Sequence, residues 1–94
     1  MSLVFEWDSD KARANLSKHG IGFDEASTVL SDVLSLTIPD PLHSTHEDRH
    51  VTLGCSYRQR LLVVVHTERG GRVRIISARQ ATKKERQEYE THAK

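Results

Sequence analysis

The run Leu61-Leu62-Val63-Val64-Val65 narrows the possible folds of this chain more than any other feature. Five consecutive apolar residues are too few for a typical helix, so the run is read as the central strand of a sheet. Apolar residues make up only 36% of the chain and charged residues 29%, so the core around that strand must be thin. Ninety-four residues suffice for one core and not for two, and residues 1–94 are expected to form a single domain. No apolar run approaches the roughly 18 residues of a membrane span. The opening Met1-Ser2-Leu3-Val4-Phe5-Glu6 has neither the basic region nor the apolar stretch of a signal peptide. Cys55 stands alone, which leaves no internal disulfide and fits a reducing compartment. The expectation is a cytoplasmic protein with no membrane contact.

The segments around the central run supply its neighbours. Val4 to Trp7 reads as a short first strand, and Asp8 as the N-cap of a helix with Asp10 in its first turn. Ala12, Leu16 and His19 fall near one face of that helix, and Gly20 sits where a left-handed residue would end it. Phe23, Ala26, Val29 and Leu30 form the stripe of a second short helix. Val33 to Ile38 is β-prone and stops at Pro39-Asp40-Pro41; Leu42 to Asp48 reads as a polar loop. Residues 49–55 alternate, with Arg49, Val51, Leu53 and Cys55 on one side. Gly70-Gly71 fits a tight hairpin, followed by a last strand, Arg72 to Arg79, on which Val73, Ile75, Ser77 and Arg79 would share a face. Thr82-Lys83-Lys84-Glu85 opens a C-terminal helix with a capping box. These elements predict an α+β fold: two N-terminal helices, an antiparallel sheet of about four strands with a short extra N-terminal strand, and a closing C-terminal helix. One face of the sheet is expected to stay open.

The formal net charge of +1 conceals a division along the chain. Residues 1–50 hold four Lys/Arg against nine acids, and residues 51–94 hold ten against four. A basic half is what a polyanion-binding protein would show, although basic strands and helices are also ordinary solvated faces. His46-Glu47-Asp48-Arg49-His50 matches the H-E-x-x-H pattern of zinc hydrolases, with His43 as a third candidate ligand. That pattern works only on a helix, where the two histidines lie one turn apart. Here it follows two prolines and runs into a strand, on which positions 46 and 50 would be separated by about 13 Å. A turn before Arg49 could restore the geometry, so a zinc hydrolase through His46-Glu47-x-x-His50 stays as the lesser alternative; the match is read as a coincidence until metal is seen, and neither metal nor cofactor is assigned.

Three stretches resemble the BrnT-type ribonuclease toxins of bacterial toxin–antitoxin pairs. They are Phe5-Glu6-Trp7-Asp8 with Lys11, Asn15, Lys18-His19-Gly20-Ile21, Phe23 and Ala26; Glu47-x-Arg49 leading to Gly54; and Ile76-Ser77-Ala78-Arg79 with Ala81-Thr82, Glu85-Arg86 and Tyr89. His46 and His50 do not resemble hallmarks of that family. The resemblance implies a fold similar to RelE-type toxins and a metal-independent endoribonuclease that blocks translation and growth. It also implies a cognate antitoxin carrying a ribbon-helix-helix DNA-binding domain, binding of promoter DNA through that antitoxin, and a toxin dimer within the complex.

RNA carries its own nucleophile, the 2′-hydroxyl, so such an enzyme needs a base for that group, an acid for the departing 5′-oxygen and cations around the phosphate. The candidate set is Lys18, His19, Glu47, Arg49 and Arg79. His19 or Glu47 would move protons; Lys18, Arg49 and Arg79 would hold the phosphate, where an arginine fork suits the oxygens. Arg49 and Arg79 share the apolar parity of their strands, and a guanidinium so placed must snorkel, pair or face a cleft. Each residue also has a structural reading. Lys18 and His19 suit any helix C-terminus, Glu47 and Arg49 could form a surface pair, and Arg79 could bind a carboxylate. Thr82 and Glu85 are expected to cap, His66 and Trp7 to fill the core, and Tyr57 to sit in an exposed turn unless it stacks an RNA base. The competing function is a non-catalytic basic module that docks an acidic partner or nucleic acid.

Overall fold

The structure, a computed structural model, describes residues 3–40 and 47–92. Its elements are β1 (Phe5–Glu6), α1 (Ser9–His19), α2 (Phe23–Thr28) continuing into a 3-10 turn (Val29–Ser31), β2 (Leu36–Pro39), β3 (Arg49–Cys55), β4 (Leu61–Arg69), β5 (Arg72–Gln80) and α3 (Lys83–His92). The five strands form one mixed sheet in the order β1-β5-β4-β3-β2. Strands β2 to β5 pair antiparallel, and β1 joins the edge of β5 in parallel through Phe5↔Val73 and Glu6↔Arg74. The apolar run at 61–65 is the centre of this sheet, as its composition requires.

Local chemistry sets most boundaries. Asp8 caps α1 by accepting from the Lys11 N–H at 2.9 Å, and Gly20 ends it in the left-handed region at φ 72°. Gly70 and Gly71, at φ 59° and 78°, make the β4–β5 turn that residues with a Cβ would resist. Thr82 and Glu85 form the reciprocal capping box of α3: the Thr82 N–H donates to Glu85 at 2.8 Å and the Glu85 N–H to the Thr82 hydroxyl at 3.2 Å. The β-prone stretch 33–38 is shorter as a strand than expected. Asp32 accepts from the Leu34 N–H and bends residues 32–34 into a turn, so pairing begins at Leu36. It continues through Pro39, which an edge strand tolerates. Of the expected loop 42–48, residues 42–46 lie outside the described residues.

Two apolar clusters sit on opposite faces of the sheet. On one, Ile21, Phe23, Ala26 and Val29 pack against Leu62, Val64, Ile75 and Ala78. On the other, Leu53, Leu61 and Val63 are met by Leu36, Val51, Ala81 and, from α3, Tyr89. The second face is thus not fully open as expected, because α3 covers part of it. Trp7 is not a core residue either: it is 36% exposed and stands edge-on to Phe23 with ring centroids 6.1 Å apart.

Between Val65 and His66 the β4–β5 register shifts, so Val65 pairs with Ser77 and His66 with Ile75, leaving Ile76 as an extra residue. An extra residue in one strand reverses the in–out alternation beyond it. Val73 and Ile75 consequently face the α1–α2 cluster, whereas Ser77 and Arg79 face the α3 side. The expected shared face of Val73, Ile75 and Arg79 does not exist. Arg79 lies instead on the same face as Val51 and Val63, which is also the face of Arg49 by alternation along β3.

Three polar ties fix the layers. Glu25, 3% exposed, accepts from the Arg60 guanidinium and from the Ser56 hydroxyl, joining α2 to the β3–β4 turn. Asp32 accepts from the Cys55 N–H at 2.8 Å and the Tyr89 hydroxyl at 2.6 Å, anchoring α3. Asn15, the buried residue of α1, exchanges two hydrogen bonds with the backbone of Ala78.

Candidate active site

His19 occupies the last turn of α1, half-buried, with the Gly20 cap behind it. Strand β1 pairs with residues 73 and 74 of β5, so among the described residues the Ser77–Gln80 half of β5 has no strand on its outer side. The end of α1 occupies that space, which lets His19 reach round the sheet edge. There it lines a hollow of about 230 Å³ together with Asp40, Val51, Val63, Val65, Ser77, Ala78 and Arg79. His19 and Arg79, from distant parts of the sequence, therefore meet at one concavity with an apolar floor.

Arg79 is held in place by α3. Its two terminal nitrogens donate to the two carboxylate oxygens of Glu85 at 2.8 and 2.9 Å, and one also donates to the Gln80 carbonyl at 3.2 Å. A bidentate fork fixes the guanidinium plane and still leaves N–H groups for a further acceptor. The Arg79 partner, with the capping bonds from Thr82, pulls the Glu85 carboxyl down to about 2. The same pairing raises the Arg79 pKa above its ordinary value. Glu85 also lines a second groove of about 320 Å³, with Glu88 and His92 of α3 above Val51, Leu53 and Val63. The two hollows share Val51 and Val63 and are divided by the Arg79–Glu85 pair.

Glu47 and Arg49 form a neighbouring group. Glu47 accepts from Arg69 at 2.7 Å and lies 3.6 Å from Arg49. The Arg69 hydrogen bond holds the Glu47 carboxyl below the usual range, which weakens it as a base. Asp40, on the wall of the His19–Arg79 hollow, donates its backbone N–H to the Arg49 carbonyl at 2.8 Å, so this group borders the hollow. Lys18 is exposed on the last turn of α1 and is not part of the wall. Of the five candidates, the fold brings His19 and Arg79 together, sets Glu47 and Arg49 at the rim and leaves Lys18 outside.

His50 is the second residue of β3, not part of a helical turn, and stacks on His66 with ring centroids 6.0 Å apart. His66 bonds the Thr52 hydroxyl through Nε2 at 2.7 Å, and Thr52 bonds Thr37 at 2.7 Å. Burial, aided by the neighbouring His50, pushes the His66 imidazole down to about 4; the residue is only partly buried and belongs to neither apolar cluster, so it is not the core histidine expected. His43 and His46 lie outside the described residues. Among the described residues no group of three or more His, Cys, Asp or Glu is arranged to hold a metal ion. No helix among them is long and apolar enough to cross a membrane.

A family model for the "Ribonuclease toxin, BrnT, of type II toxin-antitoxin system" matches residues 7–85. The chain belongs to the BrnT family of ribonuclease toxins. Membership makes an antitoxin the natural partner of this BrnT-family toxin. Its fold is similar to that in the crystal structure of the Brucella abortus ribonuclease toxin, BrnT, with a TM-score of 0.68 and 22% identity. That match covers 87% of this chain and all of the Brucella chain. No curated protein matches the chain.

Four residues at or beside the candidate site were not singled out for it from sequence: Asp40 and Ser77 on the wall of the hollow, Glu85 behind Arg79, and Asn15 on the β5 backbone next to it. Asn15 had a signal, since a β-amide is a poor helix-interior residue unless its side chain has a partner. Glu85 was read correctly as a cap, and nothing in its spacing announced that the same carboxylate holds Arg79. Asp40 and Ser77 carry no signal outside the tertiary arrangement.

Proposed function

We propose that this BrnT-family toxin is a metal-independent endoribonuclease. In this reading the RNA 2′-oxygen attacks the adjacent phosphorus, the bond to the 5′-oxygen breaks, and the products are a 2′,3′-cyclic phosphate and a 5′-hydroxyl. The observation that carries the proposal is the placement of His19 and Arg79 on one hollow. His19 moves a proton between the reacting oxygens, and the N–H groups of Arg79 not used by Glu85 stabilise the charge on the phosphorane. Glu47, tied to Arg69, is the weaker candidate for the proton-moving role. Arg49 at the rim and Lys18 on the adjoining helix end hold flanking phosphates. Neutralisation by an antitoxin with a ribbon-helix-helix domain, promoter binding through it, a toxin dimer in the complex and action in the cytoplasm complete the proposal.

A labelled single-stranded RNA incubated with purified toxin tests it. Cleavage that persists in EDTA and falls at least about a hundredfold in His19→Ala and Arg79→Ala is the expected result. Cleavage abolished by EDTA overturns metal independence, and cleavage unaffected by both substitutions overturns the site. Binding that weakens steeply with salt and is never followed by cleavage would establish the non-catalytic module instead.

A further inference from the structure

The side chain of Asn15 makes three hydrogen bonds, all to backbone, at the junction between the two halves of the proposed site. Its Nδ2 donates to the Ala78 carbonyl at 2.8 Å and to the Ile21 carbonyl at 3.0 Å, and its Oδ1 accepts from the Ala78 N–H at 3.1 Å. The residue is only 7% exposed. Ala78 pairs with Val64 on one side, and its outward backbone groups face the stretch of β5 edge that β1 does not reach. The primary amide of Asn15 thus offers that edge a donor and an acceptor, as a neighbouring strand would.

Its position gives this tie a consequence for the chemistry. Asn15 lies one helical turn before His19, and residues so spaced stand about 5–6 Å apart on one helix face. Ala78 immediately precedes Arg79. Ile21 follows the Gly20 cap, so the hydrogen bonds bracket His19 on both sides and pin it to the backbone beside Arg79. We propose that Asn15 is a positioning residue for RNA cleavage, setting the placement of His19 against Arg79 without touching the substrate. This rests on the catalytic reading of that pair. An aspartate cannot replace the amide, since it has no donor for the Ile21 and Ala78 carbonyls. A displacement on the order of 1 Å between catalytic groups costs about a hundredfold in rate.

Asn15→Ala and Asn15→Asp test the proposal in the full chain, with circular dichroism confirming that each folds at the assay temperature. The expected outcome is a fall in kcat of about a hundredfold with KM changed less than about threefold. Val29→Ala, a core truncation, serves as a control for lost stability. If Val29→Ala loses kcat to the same degree at a matched loss of Tm, Asn15 is merely structural and the proposal fails. It fails equally if either Asn15 variant retains the wild-type kcat. Amide exchange and NOEs give a readout independent of activity. The expected pattern is slow exchange of the Ala78 N–H and NOEs from the His19 ring to Ser77 or Arg79 in the wild type, with both lost in Asn15→Ala. Persistence of those NOEs in the variant overturns the positioning role. An inactive wild type that shows the expected NOE pattern and its loss refutes the catalytic reading instead, and with it the claim on RNA cleavage.

Discussion

Arg79 and Glu85 show how one carboxylate can cap a helix and orient an arginine at once. Glu85 caps α3 through Thr82 and orients Arg79 through a fork, and its folded pKa of about 2 lies below its ordinary 4.5. A depressed carboxylate stabilises the fold fully above its unfolded value, and that contribution is lost as pH falls through the folded one. The toxin should therefore lose Tm more steeply between pH 4.5 and about 2 than Glu85→Gln does, measured by circular dichroism melts. Arg79 is partly exposed, so solvent screening keeps the difference modest. His66 acts in a different pH window. Its folded value of about 4 lies below the ordinary 6.5, so the unfolded chain takes up a proton there and the native one does not. Stability should fall as pH drops from 6.5 through about 4, and His66→Gln should flatten urea-melt stability across that window.

Among the elements, α3 and β5 decide whether the proposed site can form. No residue of α3 is fully buried, and it is held to the sheet by Tyr89 packing, the Tyr89–Asp32 hydrogen bond and the Arg79–Glu85 pair. The bond to Asp32 and partial burial lift the Tyr89 phenol to about 12, so it stays a donor throughout the working pH range. Tyr89→Phe removes that single bond. It should cost about 1–2 kcal/mol in urea unfolding and leave Asp32 bound to the Cys55 and Leu34 N–H groups. In β5 the decisive residue is Ile76. Its insertion turns Arg79 away from the α1–α2 core and onto the face of Val51, Val63 and the hollow. Deleting Ile76 would restore strict alternation and drive Arg79 toward the α1–α2 core, so the variant should be strongly destabilised in thermal melts.

Across the whole molecule, the opposed charges of the two halves of the chain are matched in part to each other: five of the ten basic residues of the second half meet acids of the first. Arg60 and Arg58 meet Glu25, Arg69 meets Glu47, and Arg72 and Arg74 meet Glu6, each pair joining the basic half to the acidic one. The imbalance that reads as a polyanion footprint in the sequence is in good part a device for joining the two halves. The buried member of this set matters most. Glu25→Ala leaves Arg60 without its carboxylate at a half-buried position and should cost about 3 kcal/mol in denaturant unfolding. Glu47→Ala, at a more exposed pair, should cost far less in the same measurement.

The sequence by itself determined what short-range chemistry can specify. The apolar run placed the central strand, Asp8, Gly20 and Thr82–Glu85 set helix ends, and Gly70-Gly71 set the hairpin, because caps and turns depend on neighbours a few residues away. The three family-like stretches likewise lay in plain view. What only the tertiary structure decided is how those pieces meet. The bulge at Ile76 could not be read, since it exists only relative to β4, and it alone reversed the side on which Arg79 lies. The lodging of Asn15 on the β5 edge, the sharing of Glu85 between a cap and an arginine, and the cover that α3 gives the second face are contacts between segments far apart in the chain. Alternation and periodicity report which side of its own element a residue occupies; only packing fixes what that side faces.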